Sequence, residues 1–146
     1  MTDTRTSNLA VFQRFHEATN SGDIDHIARV VDELAPDVLF HAPAPVEATG
    51  AAALKFIWAA LLRAFPDIHV TVEDTIAEDD KIVFRNTVTG TNLGPYRGMP
   101  PTGRAVRYDE IFVVRFAGGR IAEIWGVVDL FTQLRQLGLV DGGPVR

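Results

Sequence analysis

The chain has no cysteine and only two serines, Ser7 and Ser21, neither in the Gly-x-Ser-x-Gly setting of a nucleophile elbow. Disulfides and thiolate sites are excluded, and acyl-enzyme chemistry is disfavoured. What remains for catalysis is proton transfer by carboxylates and by four histidines. His41 ends the short apolar run Val38-Leu39-Phe40, where an imidazole suits either a proton shuttle near neutral pH or a satisfied structural histidine. Asp129 follows the last apolar run and precedes Leu130 to Leu134, so it suits either a carboxylate at the mouth of a site or the N-cap of a short helix. His16 shares a helical face with Leu9 and Phe12 and is a further candidate, whereas His26 and His69 read as surface residues. No pair of histidines has His-x-His or His-x-x-x-His spacing, and the carboxylates crowd at the turn-like Glu78-Asp79-Asp80, so no metal or other cofactor is expected. Gly94, Gly98 and Gly103 are too loosely spaced for a phosphate-cradling loop and read as turn residues of a long connection that could cover a pocket.

Positioning such groups requires a scaffold, and the apolar periodicity supplies one. A first helix is predicted over 8–20, stopped by Asn20-Ser21-Gly22-Asp23. Ile24, Ile27, Ala28, Val31 and Leu34 predict a second helix ending at Pro36, followed by a short strand at Val38 to His41. After Thr49-Gly50, the apolar set Leu54, Ile57, Trp58, Leu61 and Phe65 predicts a third helix that Pro66 terminates. From Ile68 the period changes to two. A hairpin through Glu78 to Lys81 reaches Thr91, and a second one joins Val106–Phe116 to Arg120–Val128 through Ala117-Gly118-Gly119. Helices first and strands afterwards indicate an α+β fold, a curved antiparallel sheet wrapped over three N-terminal helices. Ile111 and Val113 alternate with Phe112 and Val114, so both faces of that strand are apolar: one meets the helices and the other suits a second subunit.

The bulk properties fit a single domain over residues 1–146, with flexible termini at 1–7 and 141–146. A hydrophobic fraction of 47% and a net charge of -5 give a globular chain without the basic surface of a general nucleic-acid binder. No apolar run approaches the ~20 residues that span a bilayer, and the polar stretch Met1 to Asn8 is unlike a secretion signal, so no membrane association and a cytoplasmic location are expected.

Five motifs in order, Phe65-Pro66-Asp67-Ile68, Gly90-Thr91-Asn92, Met99-Pro100-Pro101-Thr102-Gly103-Arg104, Gly119-Arg120-Ile121-Ala122-Glu123-Ile124-Trp125 and Gln136-Leu137-Gly138, resemble the SnoaL-like polyketide cyclase and ester cyclase group. The resemblance covers nearly the whole chain. It implies the cone-shaped fold of the nuclear transport factor two superfamily, which is cystatin-like, with a pocket between sheet and helices and homodimers through the outer sheet face. It also implies cofactor-free aldol chemistry, in which an acid-base group removes a proton beside a carbonyl and the enolate attacks a second carbonyl. The cyclases carry an acidic residue directly after the tryptophan of the last strand and a histidine on the neighbouring strand. Those positions here read Gly126 and Phe112, and the family's histidine after Gly-Thr is replaced by Asn92.

If Phe112 faces the pocket, alternation puts Tyr108 and Glu110 on the same side and Asp109 and Arg115 opposite. Glu110 then becomes a candidate base whose pKa burial would raise, or else a rim glutamate paired with an arginine. The catalytic candidates are thus Glu110, His41 and Asp129. Phe15, His16, Trp58, Asn86, Tyr108, Phe112 and Gly126 are the candidate ligand-contacting residues, Asn86 because it alternates with Arg85 and one of the two must enter the cavity. The aromatics suit a flat hydrophobic or aromatic ligand, although periodicity also explains them as core. Three functional readings follow: a divergent cyclase or isomerase acting on a polyketide-like ligand, a non-catalytic ligand-binding module, and epoxide hydrolysis through an Asp-Arg-Asp network that activates water.

Overall fold

The computed structural model describes residues 3–143. Its elements follow the predicted order: α1 (Thr4–Thr19), α2 (Ile24–Val31), β1 (Leu39–His41), α3 (Gly50–Ala64), β2 (His69–Glu78), β3 (Lys81–Thr91), β4 (Ala105–Ala117), β5 (Arg120–Val128) and α4 (Leu130–Gln136). The first helix starts earlier than its apolar pattern suggests. Asp3 is its N-cap and accepts from Arg5 N at 3.1 Å, so Thr4 to Ser7 are helical where a flexible terminus was expected. At the other end Asp141 to Gly143 carry no regular structure, and the remainder of the expected flexible segment, 144–146, lies outside the described residues.

The sheet order is β1-β5-β4-β3-β2. Its hairpins are antiparallel, as expected, and the short β1 adds at the edge in parallel with β5 through Leu39 with Glu123, Phe40 with Ile124 and His41 with Trp125. Strand direction is set here by where the chain re-enters the sheet, and local composition carries no trace of that. Gly118 and Gly119 take φ of 59° and 79°, the left-handed pair that a tight β4–β5 turn requires. Register shifts at Val72/Asp74 and at Arg115/Phe116 insert bulges, which bend the sheet around the helices. The edge of β2 is closed by Asn20 at the end of α1: its Oδ1 accepts from Val70 N at 2.8 Å and its Nδ2 donates to Val70 O at 2.9 Å.

Two apolar clusters form the interior. Phe12, Ile27, Val31, Leu34, Phe84, Val114 and Ile124 lie under α1 and α2, while Phe65, Ile68, Val70, Val88, Val106, Tyr108 and Leu137 gather around the ends of α3 and α4. The connection 92–104 is tied down by one fully buried side chain. Asn92 Oδ1 accepts from Thr102 N at 2.8 Å and Thr102 Oγ1 at 2.9 Å, and its Nδ2 donates to Gly94 O at 2.9 Å and Ala64 O at 3.3 Å. Gly94 is pressed against the end of α3, where a Cβ would come within 1.9 Å of Arg63 O. Asn92→Ala strips four hydrogen bonds at once, two of them buried, and is expected to cost about 3 kcal/mol, read by chemical denaturation. A loss below about 1 kcal/mol would show that the connection is held by other contacts.

Candidate functional site

Between the concave face of the sheet and the helices lies a cavity of about 450 Å³, within the usual range for a small-molecule site. β4 contributes Tyr108, Glu110, Phe112 and Val114 to its wall, and β3 contributes Phe84, Asn86 and Val88. These are the alternate residues of each strand, and the register sets Asn86 opposite Glu110 and Phe84 opposite Phe112. Phe12, Phe15 and His16 enter from α1 and Trp58 from α3. Of the residues singled out in the sequence, Phe15, His16, Trp58, Asn86, Tyr108, Glu110 and Phe112 therefore share one cavity.

Glu110 sits where the two apolar clusters meet. Along β4 it separates Val106 and Tyr108 of one cluster from Val114 and Phe116 of the other. Its Oε1 accepts from Asn86 Nδ2 at 2.9 Å, and among the described residues its carboxyl has no other protein partner and no cation within ion-pair distance. Burial raises its pKa above 4.5, opposed only by the Asn86 amide. Asn86 Oδ1 is itself buried and has no hydrogen-bond partner among the described residues, so this pair is the least satisfied polar group of the interior. Next along β4, burial foremost, together with the neighbouring Glu110, pushes the Tyr108 hydroxyl far above its ordinary pKa, so it stays protonated and remains a donor. On α1, His16 stacks on Phe12 with centroids 6.2 Å apart, and burial lowers its pKa, which favours the neutral imidazole at neutral pH.

His41 and Asp129 lie elsewhere. His41 is on the outer face of the sheet, stacked on Trp125 at 5.3 Å, with Nε2 at 2.7 Å from Glu123 Oε2; Glu123 also accepts from Arg115 Nε at 3.2 Å. Strand alternation sends Phe40, not His41, into the cavity. Asp129 is exposed and caps α4, accepting from Thr132 N at 3.1 Å and Thr132 Oγ1 at 2.6 Å, and these bonds hold its pKa below the usual aspartate value. Gly126 does not line the cavity either, because the Phe112 ring covers it: a Cβ at 126 would come within 2.2 Å of that ring. The Asp-Arg-Asp arrangement for water activation has no place here, since among the described residues no aspartate lines the cavity. No three His, Cys, Asp or Glu side chains among the described residues cluster as metal ligands would.

Five polar residues of the cavity, Thr19, Arg63, Tyr96, Arg97 and Gln133, lie outside the sequence-derived set, and two of them are joined to each other. Gln133 is 1% exposed and accepts from the Tyr96 hydroxyl at 2.8 Å, joining α4 to the connection 92–104. A signal for Gln133 was present, since Leu130, Gln133 and Leu137 follow helical spacing and share one face. Tyr96 had none, because its placement depends on the turn Tyr96-Arg97-Gly98-Met99, closed by reciprocal backbone bonds of 3.0 and 2.9 Å.

Two outcomes check this geometry. Below the pKa it has in the unfolded chain, Glu110 is protonated in both states; as pH rises through its elevated folded value, the folded state loses stability because the carboxyl must ionise in an apolar setting or keep its proton against the solvent. Glu110→Gln is therefore expected to raise the melting temperature by a few degrees at mildly alkaline pH and to have little effect at acidic pH, measured by thermal unfolding across pH. A variant destabilised equally at both ends would place Glu110 outside a desolvated site. For the packed pair, Gly126→Ala is expected to cost about 2 kcal/mol in the parent and under about 1 kcal/mol in a Phe112→Ala background, so that a double-mutant cycle shows coupling.

The sequence matches the SnoaL-like polyketide cyclase family over residues 10–137. A search of curated proteins finds no match. Among solved structures, AclR of Streptomyces galilaeus, a candidate hydroxylase, is 28% identical with a TM-score of 0.82, the alignment covering 96% of this chain and 86% of that one. TsrD of Streptomyces laurentii is 28% identical with a TM-score of 0.80, over 96% of this chain and 100% of the other. IdmH of Streptomyces antibioticus, a candidate polyketide cyclase, is 30% identical with a TM-score of 0.73, over 90% and 98% of the two chains. With the family match running from α1 to the end of α4, the chain belongs to the SnoaL-like polyketide cyclase family.

Proposed function

We propose that the protein is a divergent cofactor-free cyclase or isomerase that carries out aldol-type acid-base chemistry on a polyketide-like or other hydrophobic ligand, with Glu110 as the proton-transfer group. The observation that carries this reading is a carboxyl lining an apolar cavity with one amide as its protein partner and no neutralising cation among the described residues. In its ionised form such a carboxylate is a strong base towards a C–H beside a carbonyl, because water does not stabilise its charge. Asn86 holds the carboxyl's orientation through the 2.9 Å bond, and the Tyr108 hydroxyl is a donor for the oxygen on which negative charge develops. Phe15, Trp58 and Phe112 provide the flat apolar surfaces that would hold a conjugated chain folded.

Glu110→Gln keeps the size and the bond from Asn86 but removes the base, and kcat is expected to fall at least about a hundredfold. His41→Ala, on the outer face, should change kcat less than about twofold. The pH profile of kcat/KM in the parent should rise through a pKa above 4.5 and lose that limb in Glu110→Gln. Undiminished turnover in Glu110→Gln ends the proposal. A second reading, a non-catalytic ligand-binding module, is favoured by the Phe112 ring occupying the space over Gly126 where the family's cyclases carry a polar pair. Conversion of a bound polyketide, followed by mass spectrometry, separates the two.

The outer face supports a homodimer. Leu39, Ile111 and Val127 are exposed there beside the half-buried Trp125 on adjacent strands β1, β5 and β4. Sedimentation should give a dimer for the parent and a monomer for Val127→Arg, and a monomeric parent would refute the assembly.

A further inference from the structure

The rim of the cavity is distinct in character from its interior. The lining residues that are exposed to solvent are Pro45, Phe56, Arg63, Pro95, Arg97 and Gly98. Two of these six are arginines, and none is acidic. Neither guanidinium forms an ion pair or a hydrogen bond with a protein group among the described residues; Arg97 rests over the Tyr96 ring, 5.2 Å from its centroid. Arg63 also meets the negative end of α3, and what the two unpaired arginines share is a place on one cavity of a chain whose net charge is -5.

Their placement is fixed by the backbone. Arg63 is in the last turn of α3, and the following Ala64 O accepts from Leu93 N at 3.0 Å and Gly94 N at 3.2 Å, which fastens the connection bearing Arg97 to the end of that helix. Gly94 is seated so close to Arg63 O that no side chain fits between the connection and the helix end. Arg97 is held at φ 51°, a left-handed conformation costly for a branched or bulky residue, by the closed turn from Tyr96 to Met99. The same turn sets Tyr96 for its bond to Gln133 within the cavity. Beside the arginines, Phe56 is 62% exposed and continues the apolar lining outward.

We infer that the site takes an anionic amphiphile, a hydrophobic ligand bearing a free carboxylate, whose apolar body fills the cavity while Arg63 and Arg97 hold the carboxylate at the rim. This rests on the reading of the cavity as a ligand site and adds the charge class of the ligand. A planar guanidinium pairs with a carboxylate through two N–H donors, a geometry that a neutral ester cannot match in strength. The anion stays at the water boundary and avoids the desolvation that Glu110 suffers deeper inside. The arrangement also keeps two like charges apart, with the carboxylate at the cations and the acid-base group in the apolar wall.

The test compares dodecanoate, methyl dodecanoate and dodecanol, with binding followed by calorimetry and by the fluorescence of Trp58, which lines the cavity. Dodecanoate is expected to bind about tenfold more tightly than its methyl ester at low salt, and the preference should shrink as salt is raised. In the Arg63→Gln/Arg97→Gln double variant the acid and the ester should bind alike, with ester affinity unchanged from the parent. Both side chains are exposed and unbonded to protein partners, so the variant should fold, and its thermal midpoint verifies this. Equal affinity of acid and ester in the parent, or a preference that survives in the double variant, overturns the inference and leaves the cavity reading intact. If none of the three probes binds, the cavity reading itself fails.

Discussion

The rest of the site is organised around a carboxyl that the fold holds in an apolar cavity with a single amide for company. Taking a carboxylate out of water without a cation costs several kcal/mol unless it stays protonated, and a surface alternative was open to the chain at every other glutamate. The arrangement persists because β3 and β4 leave no choice. Once Phe84 and Phe112 face inward, alternation puts Asn86 and Glu110 inward as well, two residues further along each strand. The interior is accordingly two apolar clusters with a polar seam between them, and the cavity opens along that seam.

This seam explains why the outer and inner faces of the same strands have such different chemistry. On the outer face two carboxylates are matched to cations or imidazole: Glu123 lies between His41 and Arg115, and Asp74 accepts from Arg85 at 2.8 Å. Such exposed pairs contribute little to stability, but they quench the reactivity of the groups they join. The inner face contains one carboxyl with nothing to quench it. A single sheet thus carries ion pairs among apolar residues on its outer face and an unpaired carboxyl on its inner one, with β4 supplying both.

Much of the fold was legible because period-two and helical patterns report which face of an element is buried. Spacing put Tyr108, Glu110 and Phe112 on one side and Arg85 and Asn86 on opposite sides, the resemblance suggested which side was inward, and the helix stops at Asn20 and Pro66 were marked by their residue types. Three things were hidden. The parallel pairing of β1 depends on chain re-entry, the start of α1 depends on a cap at Asp3 ahead of the apolar stripe, and the inward aim of Tyr96 depends on a turn far from the strands. His41 shows the limit of local reading most clearly. Its strand was recognised, but three residues of strand fix no register, and one step along β1 separates the cavity from the solvent.

The contact between Phe112 and Gly126 bears on how such a sequence can change over generations. A side chain at position 126 must displace the ring that lies across it, whereas position 112 can shrink without disturbing 126. Exchange between this pair and a polar pair at the same positions thus has a favoured order: on the way to the polar pair the ring goes first, and on the way back the glycine comes first. The state common to both routes has glycine at 126 without the ring at 112, so the space over position 126 stands open only in passing from one pair to the other.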